Sequence, residues 1–370
     1  MTRLATLLER LSNGLGRSSG RKSHNTHDSL LSVNRLLFFL ERARFQANRS
    51  DAPFCLLALT ITPSDCDGKG VHVLAGILHE RLRITDDKGY LEDGRIGVIL
   101  PDTPEAGAHV VARDICTKYQ ALGGTISYEV YVYPSDFDLE GNPIFEDEEE
   151  NVGTAASSGL TARPMQTLFA ANLPLWKRAI DLTVSSFLLI VLSPVFLIAA
   201  LLIKLSSPGP ALFVQQRAGL GGKPFPIFKF RTMRVGADAE KALLREFSEQ
   251  DGPAFKLAND PRVTRIGQLL RTTSIDELPQ LLNVLWGNMS LVGPRPLPVE
   301  ESQECEPWHR YRLDVTPGIT CIWQVTGRSS VTFAEWVRMD IEYIQSVSLF
   351  QDVKLLLLTI PSVLFCKGAR

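Results

Sequence analysis

The chain has 370 residues, which is long for a single domain, so two compact units are expected. Apolar residues make up 45% and charged residues 22%, a balance that is typical of a folded protein and excludes an intrinsically disordered one. The formal net charge of -2 gives no electrostatic reason to expect nucleic acid as a partner.

The first 138 residues predict a tail followed by a small domain. Residues 1–28 join a short amphipathic stripe of leucines to a basic stretch rich in Ser and Gly. Residues 29–138 alternate between helical and strand patterns, in chain order about 30–40, Phe54–Thr62, Val71–Arg83, Arg95–Leu100, Pro104–Leu122 and Ile126–Pro134. This order predicts a small α/β sandwich.

The composition changes after the small domain. Residues 139–171 contain the acidic run Glu146–Glu150 and then a stretch of Gly, Ala, Ser and Thr that ends near Pro164. A run of like charges is usually solvated, and small polar residues are typical of linkers. We therefore expect an acidic, flexible linker, followed by a second domain over residues 172–370.

The second domain begins with an apolar segment, Leu182–Leu205, that is long enough for a transmembrane helix. Ser193 and Pro194 lie at its middle, where proline removes a helical hydrogen bond and kinks the axis. Basic residues, which favour the cytoplasmic side, flank both of its ends: Lys177, Arg178 and Lys204. A helix over about 178–205 that enters the membrane, bends and returns satisfies both observations. A single-pass anchor is the alternative.

The segment Leu270–Gln280 carries two adjacent carboxylates, Asp276 and Glu277. Ser274 and Glu277 also fit a capping box, so a purely structural helix start is one interpretation. Asp276 lies near that helix start with Arg271 close in sequence, and both influences favour an ionised carboxylate. An ionised Asp can attack phosphorus or bind magnesium, and Glu277 can assist as a base or as a second ligand.

Three further segments combine basic side chains with glycine or proline. They are Gln216–Phe225 with Lys229–Met233, then Val292–Pro296, and finally Pro317–Ser329. The first is not a P-loop, because no GxxxxGK[ST] is present, so phosphate binding and a surface hairpin both stay open. Arg295 stands between two prolines, and Arg is well suited to bidentate phosphate contacts. Trp323 is a candidate for stacking on a base, whereas core packing is expected for Trp286.

These motifs, in this order, closely resemble the bacterial sugar transferase family, the monotopic polyprenyl-phosphate phosphoglycosyl transferases. The resemblance covers about residues 172–365 and rests on KRAIDL, the kinked apolar helix, KFRTM, NDPRVTRIG, LRTTSIDELPQLLNVLWGNMSLVGPRP and TPGITCIWQVTGR. One departure is Cys321, where the family usually has Gly. The resemblance implies a mainly α, membrane-associated catalytic domain whose re-entrant helix breaks at Ser193 and Pro194. It also implies a place on the cytoplasmic face of the inner membrane.

For the reaction, the resemblance implies that Asp276 is the nucleophile, paired with Glu277. The carboxylate would attack the sugar-bearing phosphate of a UDP-sugar and release UMP. Polyprenyl phosphate would then accept the phosphosugar, as the first membrane step of exopolysaccharide, O-antigen or glycoconjugate assembly. Mg²⁺, held by Asp276, would neutralise the diphosphate. The residues implied around the substrate are Arg271, which matches a phosphate-binding arginine, and Lys229, Arg231, Arg295 and Arg328.

The N-terminal domain more faintly resembles a degenerate GGDEF domain, the domain of diguanylate cyclases. Residues Asp93–Pro101 resemble its central hairpin and following strand, but the signature itself reads Glu92–Ile96. Threonines replace the acidic residues expected after the first strand, so two-metal cyclase chemistry is not expected. Arg83 and Asp86 have the spacing of a cyclic-di-GMP inhibitory site. Cyclic-di-GMP binding and a structural, homodimerising or partner-binding role therefore both stay open.

Two further alternatives follow from these resemblances. The chain could be a non-catalytic membrane scaffold or a nucleotide-sensing regulator. The intact pair of Asp276 and Glu277 argues against both, because a protein without catalytic activity needs neither carboxylate. Among enzymes, the donor could carry glucose, galactose or an N-acetylated amino sugar, and the sequence does not choose between them.

Overall fold

The chain divides into two compact units. The computed structural model describes residues 30–50, 52–61, 68–139, 143–144, 162–257, 259–326 and 331–364. The first unit comprises Arg3–Asp136 and Pro143–Gln166, and the second comprises Phe137–Asn142 and Thr167–Arg370. The predicted amphipathic and basic tail over residues 1–28 lies outside the described residues, as does most of the predicted linker.

The first unit is an α/β domain built on one five-stranded sheet. Its elements are α1 (Val33–Ser50), β1 (Phe54–Ile61), α2 (Gly68–Arg81), β2 (Asp87–Tyr90), β3 (Ile96–Leu100), α3 (Glu105–Ala121), β4 (Ile126–Tyr133), β5 (Asp136–Phe137), β6 (Pro143–Ile144) and β7 (Arg163–Pro164). The sheet order is β2-β3-β1-β4-β7, with β1 antiparallel to both of its neighbours. The predicted α/β class is confirmed.

The central strand β1 is apolar along almost its whole length because both of its faces are covered. Leu57 and Leu59 belong to a core cluster with side chains of α2 and α3, such as Leu74 and Ala112. Helix α1 lies close to β3, because a Cβ added at Gly97 would come within 2.8 Å of a Leu36 methyl carbon. Burial on both faces explains why the sequence shows a continuous apolar run instead of alternation.

Two strands of this sheet were not predicted from the sequence, and both lie at its edges. Strand β2 reads DKGY and pairs antiparallel with β3 around a turn at Gly94, which has a φ of 84°. Strand β7 lies in the stretch predicted as linker and pairs parallel with β4 through Arg163 and Pro164. Edge strands tolerate charged residues and proline because one side of the strand needs no hydrogen-bonding partner. Their sequences therefore lack the apolar pattern from which the other strands were predicted.

After β7 the chain is mainly helical, as predicted. Its helices are α4 (Gln166–Phe169), α5 (Leu175–Val191), α6 (Ser193–Ser206), α7 (Lys241–Leu244), α8 (Arg265–Thr272), α9 (Gln280–Trp286), α10 (Val299–Gln303), α11 (Ile322–Thr326), α12 (Phe333–Gln345) and α13 (Leu349–Leu364). Its strands are β8 (Leu212–Ala218), β9 (Pro224–Phe230), β10 (Ser290–Val292) and β11 (Gly318–Thr320). An antiparallel hairpin joins β8 to β9, and β10 pairs parallel with β11.

The apolar segment is two helices joined at an angle. Helices α5 and α6 meet at Leu192 with a bend of 60°. The bend lies at the predicted position: the Ser193 hydroxyl donates to the carbonyl of Ile190 at 2.8 Å, and Pro194 stands in the first turn of α6. Among the described helices none is long and apolar enough alone to cross a membrane, whereas this bent pair meets the requirements of length and composition together. A re-entrant course through a bilayer stays a prediction.

Two basic residues in the first turn of α5 make contacts within the protein. Lys177 is 4% exposed and forms an ion pair with Asp352 of α13, beside the hydroxyl of Tyr343. Arg178 donates to the carbonyls of Val284 and Leu285 at 2.6 and 2.8 Å, near the end of α9. Tertiary contacts therefore use both side chains, and their role as positive charges flanking a membrane segment stays a prediction.

Candidate active site

The β8–β9 hairpin supplies one side of the site. Its antiparallel register pairs Phe213 with Lys229, so both side chains lie on the same face of the two-stranded sheet. The connecting turn requires glycine, because Gly221 and Gly222 adopt positive φ angles of 64° and 83°. The glycine-rich stretch that suggested either a phosphate loop or a hairpin is thus a hairpin turn.

Helix α8 and the turn after it position the paired carboxylates. Thr264 caps α8, and its hydroxyl accepts from the backbone N–H of Gly267 at 3.0 Å. Gly267 lies so close to the carbonyl of Thr232 that an added Cβ would be 1.9 Å from that oxygen. The chain then turns at Ser274, and a 3₁₀ turn over Ile275–Glu277 carries both carboxylates.

The capping-box interpretation of Ser274 is wrong. Its backbone is left-handed, with a φ of 56°, and its side chain makes no capping hydrogen bond. An N-cap residue needs an extended backbone and a side-chain oxygen directed at the first helical N–H groups. Helix α9 begins later, at Gln280, directly after Pro279. The carboxylates therefore lie in a tight turn between two helices.

Glu277 is the counterion of two cations. Its Oε1 accepts from Lys229 Nζ at 2.9 Å, and both terminal nitrogens of Arg295 bind the carboxylate, one of them to Oε2 at 3.2 Å. Burial alone would raise the pKa of Glu277, but Arg295 and Lys229 hold it well below its usual range. Glu277 is therefore ionised and fully engaged, which suits a positioning role better than that of a general base.

Asp276 is the carboxylate that stays available. It is 8% exposed, and burial together with the charge of Glu277 raises its pKa to about 6. Lys229, Arg271 and Arg295 oppose this shift without cancelling it. Arg271 lowers the pKa of Asp276 as expected, but the loss of water on burial outweighs the nearby cations. A carboxylate with a pKa of about 6 is still mostly ionised at neutral pH.

Arg271 approaches the same carboxylate from α8. Its Nε donates to the hydroxyl of Thr232 at 3.0 Å, and neither terminal nitrogen donates to any of the described residues. Asp276 is the nearby charge that most favours its protonated form. The Thr232 contact fixes the plane of the guanidinium group, so its two terminal nitrogens can bind an anion beside Asp276.

A cavity of about 1030 Å³ connects these charged groups to apolar surface. Its charged lining includes Asp276, Glu277, Lys229, Arg271 and Arg295. The helix pair and α13 contribute its apolar lining, with Leu188, Leu192, Val195 and Leu356. One cavity therefore has a charged region and an apolar wall side by side.

One predicted substrate residue is not placed against the carboxylates. Arg231 borders the cavity, but its guanidinium donates to the carbonyls of Pro208 and Ser207 at 2.7 and 2.9 Å, just beyond the end of α6. Its contacts hold the end of the apolar helix pair. Arg328 lies outside the described residues, so its predicted role is not addressed by the structure.

Replacing Arg231 with lysine tests this structural role. A lysine can make only one of the contacts to Pro208 and Ser207, so we expect a loss of about 1–3 kcal/mol in the free energy of unfolding. The KM for the nucleotide donor is expected to change by less than about twofold, because the guanidinium is turned away from the carboxylates. A large rise in KM with unchanged stability would instead restore Arg231 to the substrate site.

Asn283 is a positioning residue that sequence reasoning missed. It is buried in α9, where its Oδ1 accepts from the N–H of Phe228 at 3.0 Å and its Nδ2 donates to the carbonyl of Pro226 at 2.7 Å. These bonds join the helix after the carboxylates to the strand that carries Lys229. The signal was present in the sequence, as one amide within the apolar run LLNVLW.

The environments of Trp323 and Trp286 differ, and that of Trp286 is not the one predicted. Trp323 lines the cavity and packs against Trp336, with ring centroids 4.3 Å apart. Its role in stacking on a base stays a prediction. Trp286, for which core packing was expected, is 60% exposed and makes an edge contact with Phe228, so that expectation is wrong.

A buried, mostly ionised carboxylate lies among cations next to an apolar wall. The family model described as bacterial sugar transferase matches residues 173–366, more than half of the chain. The chain therefore belongs to the bacterial sugar transferase family, and its enzymatic class is that of the phosphoglycosyl transferases.

Curated relatives share the catalytic part of the chain. A galactosyl transferase CpsE of Streptococcus agalactiae is 47% identical over 44% of this chain and 36% of its own length. A UDP-glucose:undecaprenyl-phosphate glucose-1-phosphate transferase of Caulobacter vibrioides is 45% identical over 57% of this chain and 78% of its own length. An Escherichia coli protein of the same name is 41% identical over 50% of this chain and 39% of its own length. The chain thus matches about a third of some relatives and over three quarters of others.

The weak matches among solved structures include GGDEF proteins. The GGDEF domain of PA1120 from Pseudomonas aeruginosa is 20% identical and covers 31% of this chain and 76% of that chain, with a TM-score of 0.26. A DGC protein from Thermotoga maritima is 21% identical and covers 30% of this chain and 88% of that chain, also with a TM-score of 0.26. Scores this low support no inference, so the GGDEF resemblance stays a prediction from the sequence.

Proposed function

We propose that the protein transfers a sugar-1-phosphate from a UDP-sugar to polyprenyl phosphate and releases UMP. The observation that carries the proposal is the single cavity in which Asp276, with cations around it, meets the apolar wall of α5, α6 and α13. A water-soluble donor and a lipid acceptor need such a junction to meet. Relatives named for UDP-glucose make this the first donor to test, ahead of UDP-galactose and N-acetylated amino sugars.

The proposed reaction has two displacements at one phosphorus. A carboxylate oxygen of Asp276 attacks the sugar-bearing phosphorus of the donor, the bond to the bridging oxygen breaks, and UMP leaves with that electron pair. An oxygen of the polyprenyl phosphate then attacks the same phosphorus and releases the carboxylate. Asp276 is ionised before the first step, bonded to phosphorus between the two steps and ionised again after the second, and its pKa of about 6 permits the ionised form at neutral pH.

The surrounding side chains orient and stabilise the charge that develops. Arg271 presents two terminal nitrogens beside Asp276, where they can bind phosphate oxygens. Lys229 and Arg295 are held by Glu277, and this shared counterion fixes both cations without neutralising the whole cluster. Fixed cations need no rearrangement when the transition state forms, which is the basis of electrostatic catalysis.

Mg²⁺ fits this site only in a limited way. The described residues contain no group of three metal-binding side chains, and Glu277 is already engaged by two cations. Asp276 is the carboxylate of the pair that is not engaged by Lys229 and Arg295, and Mg²⁺ is commonly bound through one or two carboxylates together with substrate phosphates. We propose that Asp276 holds the ion when the diphosphate donor is present. The ion would then neutralise charge on the diphosphate.

Attachment to the cytoplasmic face of the inner membrane is part of the proposal. Large apolar side chains of α5 and α6 are between 36% and 76% exposed: Phe187, Ile190, Val191, Leu197, Ile198, Leu201, Leu202 and Leu205. Helix α13 exposes Phe350, Leu357 and Ile360 on one face while burying Leu355 on the other. A contiguous exposed apolar surface of this kind is typical of membrane contact.

Trapping the covalent intermediate tests the reaction directly. The protein, purified in detergent or nanodiscs, is incubated with UDP-glucose and Mg²⁺ in the absence of acceptor. We expect one equivalent of UMP and a mass increase of one hexose phosphate on the peptide that contains Asp276. Addition of polyprenyl phosphate should then remove the adduct. UMP formation that requires the acceptor, with no adduct at any time, would favour direct transfer. No turnover of any UDP-sugar would favour a scaffold.

A further inference from the structure

Arg217 is a basic side chain of the cavity that the reaction described above leaves unused. It lies on β8 on the same face as Phe213 and Gln215, and all three line the cavity. Its Nε donates to the side chain of Gln215 at 3.1 Å, and its Nη1 donates to the carbonyl of Pro296 at 2.8 Å. The third nitrogen, Nη2, donates to none of the described residues.

The charge of Arg217 is also unpaired. Among the described residues no carboxylate forms an ion pair with it, whereas Lys229 and Arg295 share Glu277. Burial, and then the like charge of Arg295, lower the pKa of Arg217 to about 10, which leaves it protonated at neutral pH. A half-buried cation beside another cation is unfavourable until an anion binds.

Arg217 and Arg271 approach the two carboxylates from different elements. The carboxylates that act most on Arg271 are Asp276 and then Asp260, whereas those that act most on Arg217 are Glu301 and then Glu277. Along the hairpin, Arg217 stands four residues from the position opposite Lys229, a distance of about 13 Å along the strand. Arg217 on β8 and Arg271 on α8 therefore lie on different elements and have different carboxylate neighbours.

The cavity as a whole has an excess of positive charge. Its lining contains nine basic side chains and five acidic ones, so bound anions are needed to balance it. Of these basic groups, Arg217 and Arg271 each combine a fixed guanidinium plane with a terminal nitrogen that no described residue uses. Planar, preoriented guanidinium groups match phosphate oxygens well.

We propose that Arg217 forms a second phosphate-binding subsite in the cavity, separate from that of Arg271, with Nη2 as the donor to the ligand. Gln215 and the carbonyl of Pro296 hold the guanidinium plane in place. The inference rests on the proposed function, which brings two phosphate-bearing ligands, a UDP-sugar and polyprenyl phosphate, to one cavity. The shared chemistry is a phosphate oxyanion, and experiment distinguishes its two sources.

Binding measured without turnover tests the subsite. The Asp276→Asn protein in nanodiscs is titrated with UDP-glucose and, separately, with a polyprenyl phosphate, and the same titrations are repeated on Asp276→Asn/Arg217→Gln. Loss of a charged hydrogen bond is expected to weaken one ligand by about 10- to 100-fold. Weaker binding of polyprenyl phosphate assigns the subsite to the acceptor, and weaker binding of UDP-glucose assigns it to the donor.

Controls separate this role from a structural one. Arg217→Lys keeps the charge and is expected to lose less affinity than Arg217→Gln. Arg245→Gln removes one positive charge outside the cavity lining and should leave both affinities unchanged. If the Arg217→Gln change lowers the unfolding temperature and leaves both affinities intact, the proposal is overturned. Arg217 would then have only a structural role, through its hydrogen bond to the carbonyl of Pro296. If Asp276→Asn binds neither ligand, the proposed function itself fails first.

Discussion

Replacing Asp276 with asparagine is expected to lower UMP release by at least about 10³-fold, because the amide cannot form the phosphosugar intermediate. The fold is expected to survive. Burial raises the pKa of this carboxyl, so a neutral residue of the same shape removes a charge that is unfavourable there. The measurement is UMP release with UDP-glucose, Mg²⁺ and polyprenyl phosphate, together with the thermal unfolding midpoint.

A matched control is available on the same unit. Glu304→Gln also removes one negative charge, but Glu304 lies outside the cavity lining and pairs with the exposed Arg245. Its activity should stay within about twofold of the unchanged protein, as for surface substitutions in general. Substantial UMP release by a folded Asp276→Asn protein would rule out Asp276 as the nucleophile and direct attention to Glu277.

Replacing Lys177 with methionine is expected to lower the free energy of unfolding of the catalytic unit by about 3–5 kcal/mol. The change leaves Asp352 buried without its cation, since both side chains of the pair are 5% exposed. The hydroxyl of Tyr343 donates to Asp352 at 2.8 Å, but a single neutral donor does not replace a charge. Urea denaturation in a constant detergent, followed by circular dichroism, measures the effect.

The double variant Lys177→Met/Asp352→Leu separates the pair from simple burial. It should be more stable than Lys177→Met alone, because no uncompensated charge is left inside. A substitution that removes the exposed ion pair of Arg234 and Glu240 serves as the comparison. It should lower the free energy of unfolding much less. Equal stability of the Lys177→Met and unchanged proteins would mean that the pair does not hold α5 against α13.

The identity of the candidate site residues was accessible from the sequence, because long motifs in fixed order resemble one family. The structure places Asp276, Glu277, Arg271, Lys229 and Arg295 around one cavity. Arg231 also borders this cavity, but its guanidinium binds carbonyls beyond α6. Motif membership alone cannot distinguish a side chain directed at the ligand from one that holds the scaffold.

The different pKa shifts of the two carboxylates could not be predicted from the sequence. Both residues lie in one turn, yet the pKa of Asp276 is raised and that of Glu277 is lowered. Lys229 and Arg295 come from distant parts of the chain, and both contact Glu277 and not its neighbour. Such a choice depends on a few ångströms of geometry, which sequence spacing does not encode.

The sequence by itself determined the α/β class of the first unit, the position of the bend at Ser193 and Pro194, and the family of the second unit. These features depend on local periodicity, on the missing N–H of proline and on contiguous motifs, all of which are local properties of the chain. Only the tertiary structure decided that Lys177 is an internal ion pair, that Asn283 joins α9 to β9, and that burial governs the pKa of Asp276. Burial and ion pairing depend on residues far apart in the chain, because the dielectric and the partners of a side chain exist only once the fold brings them together.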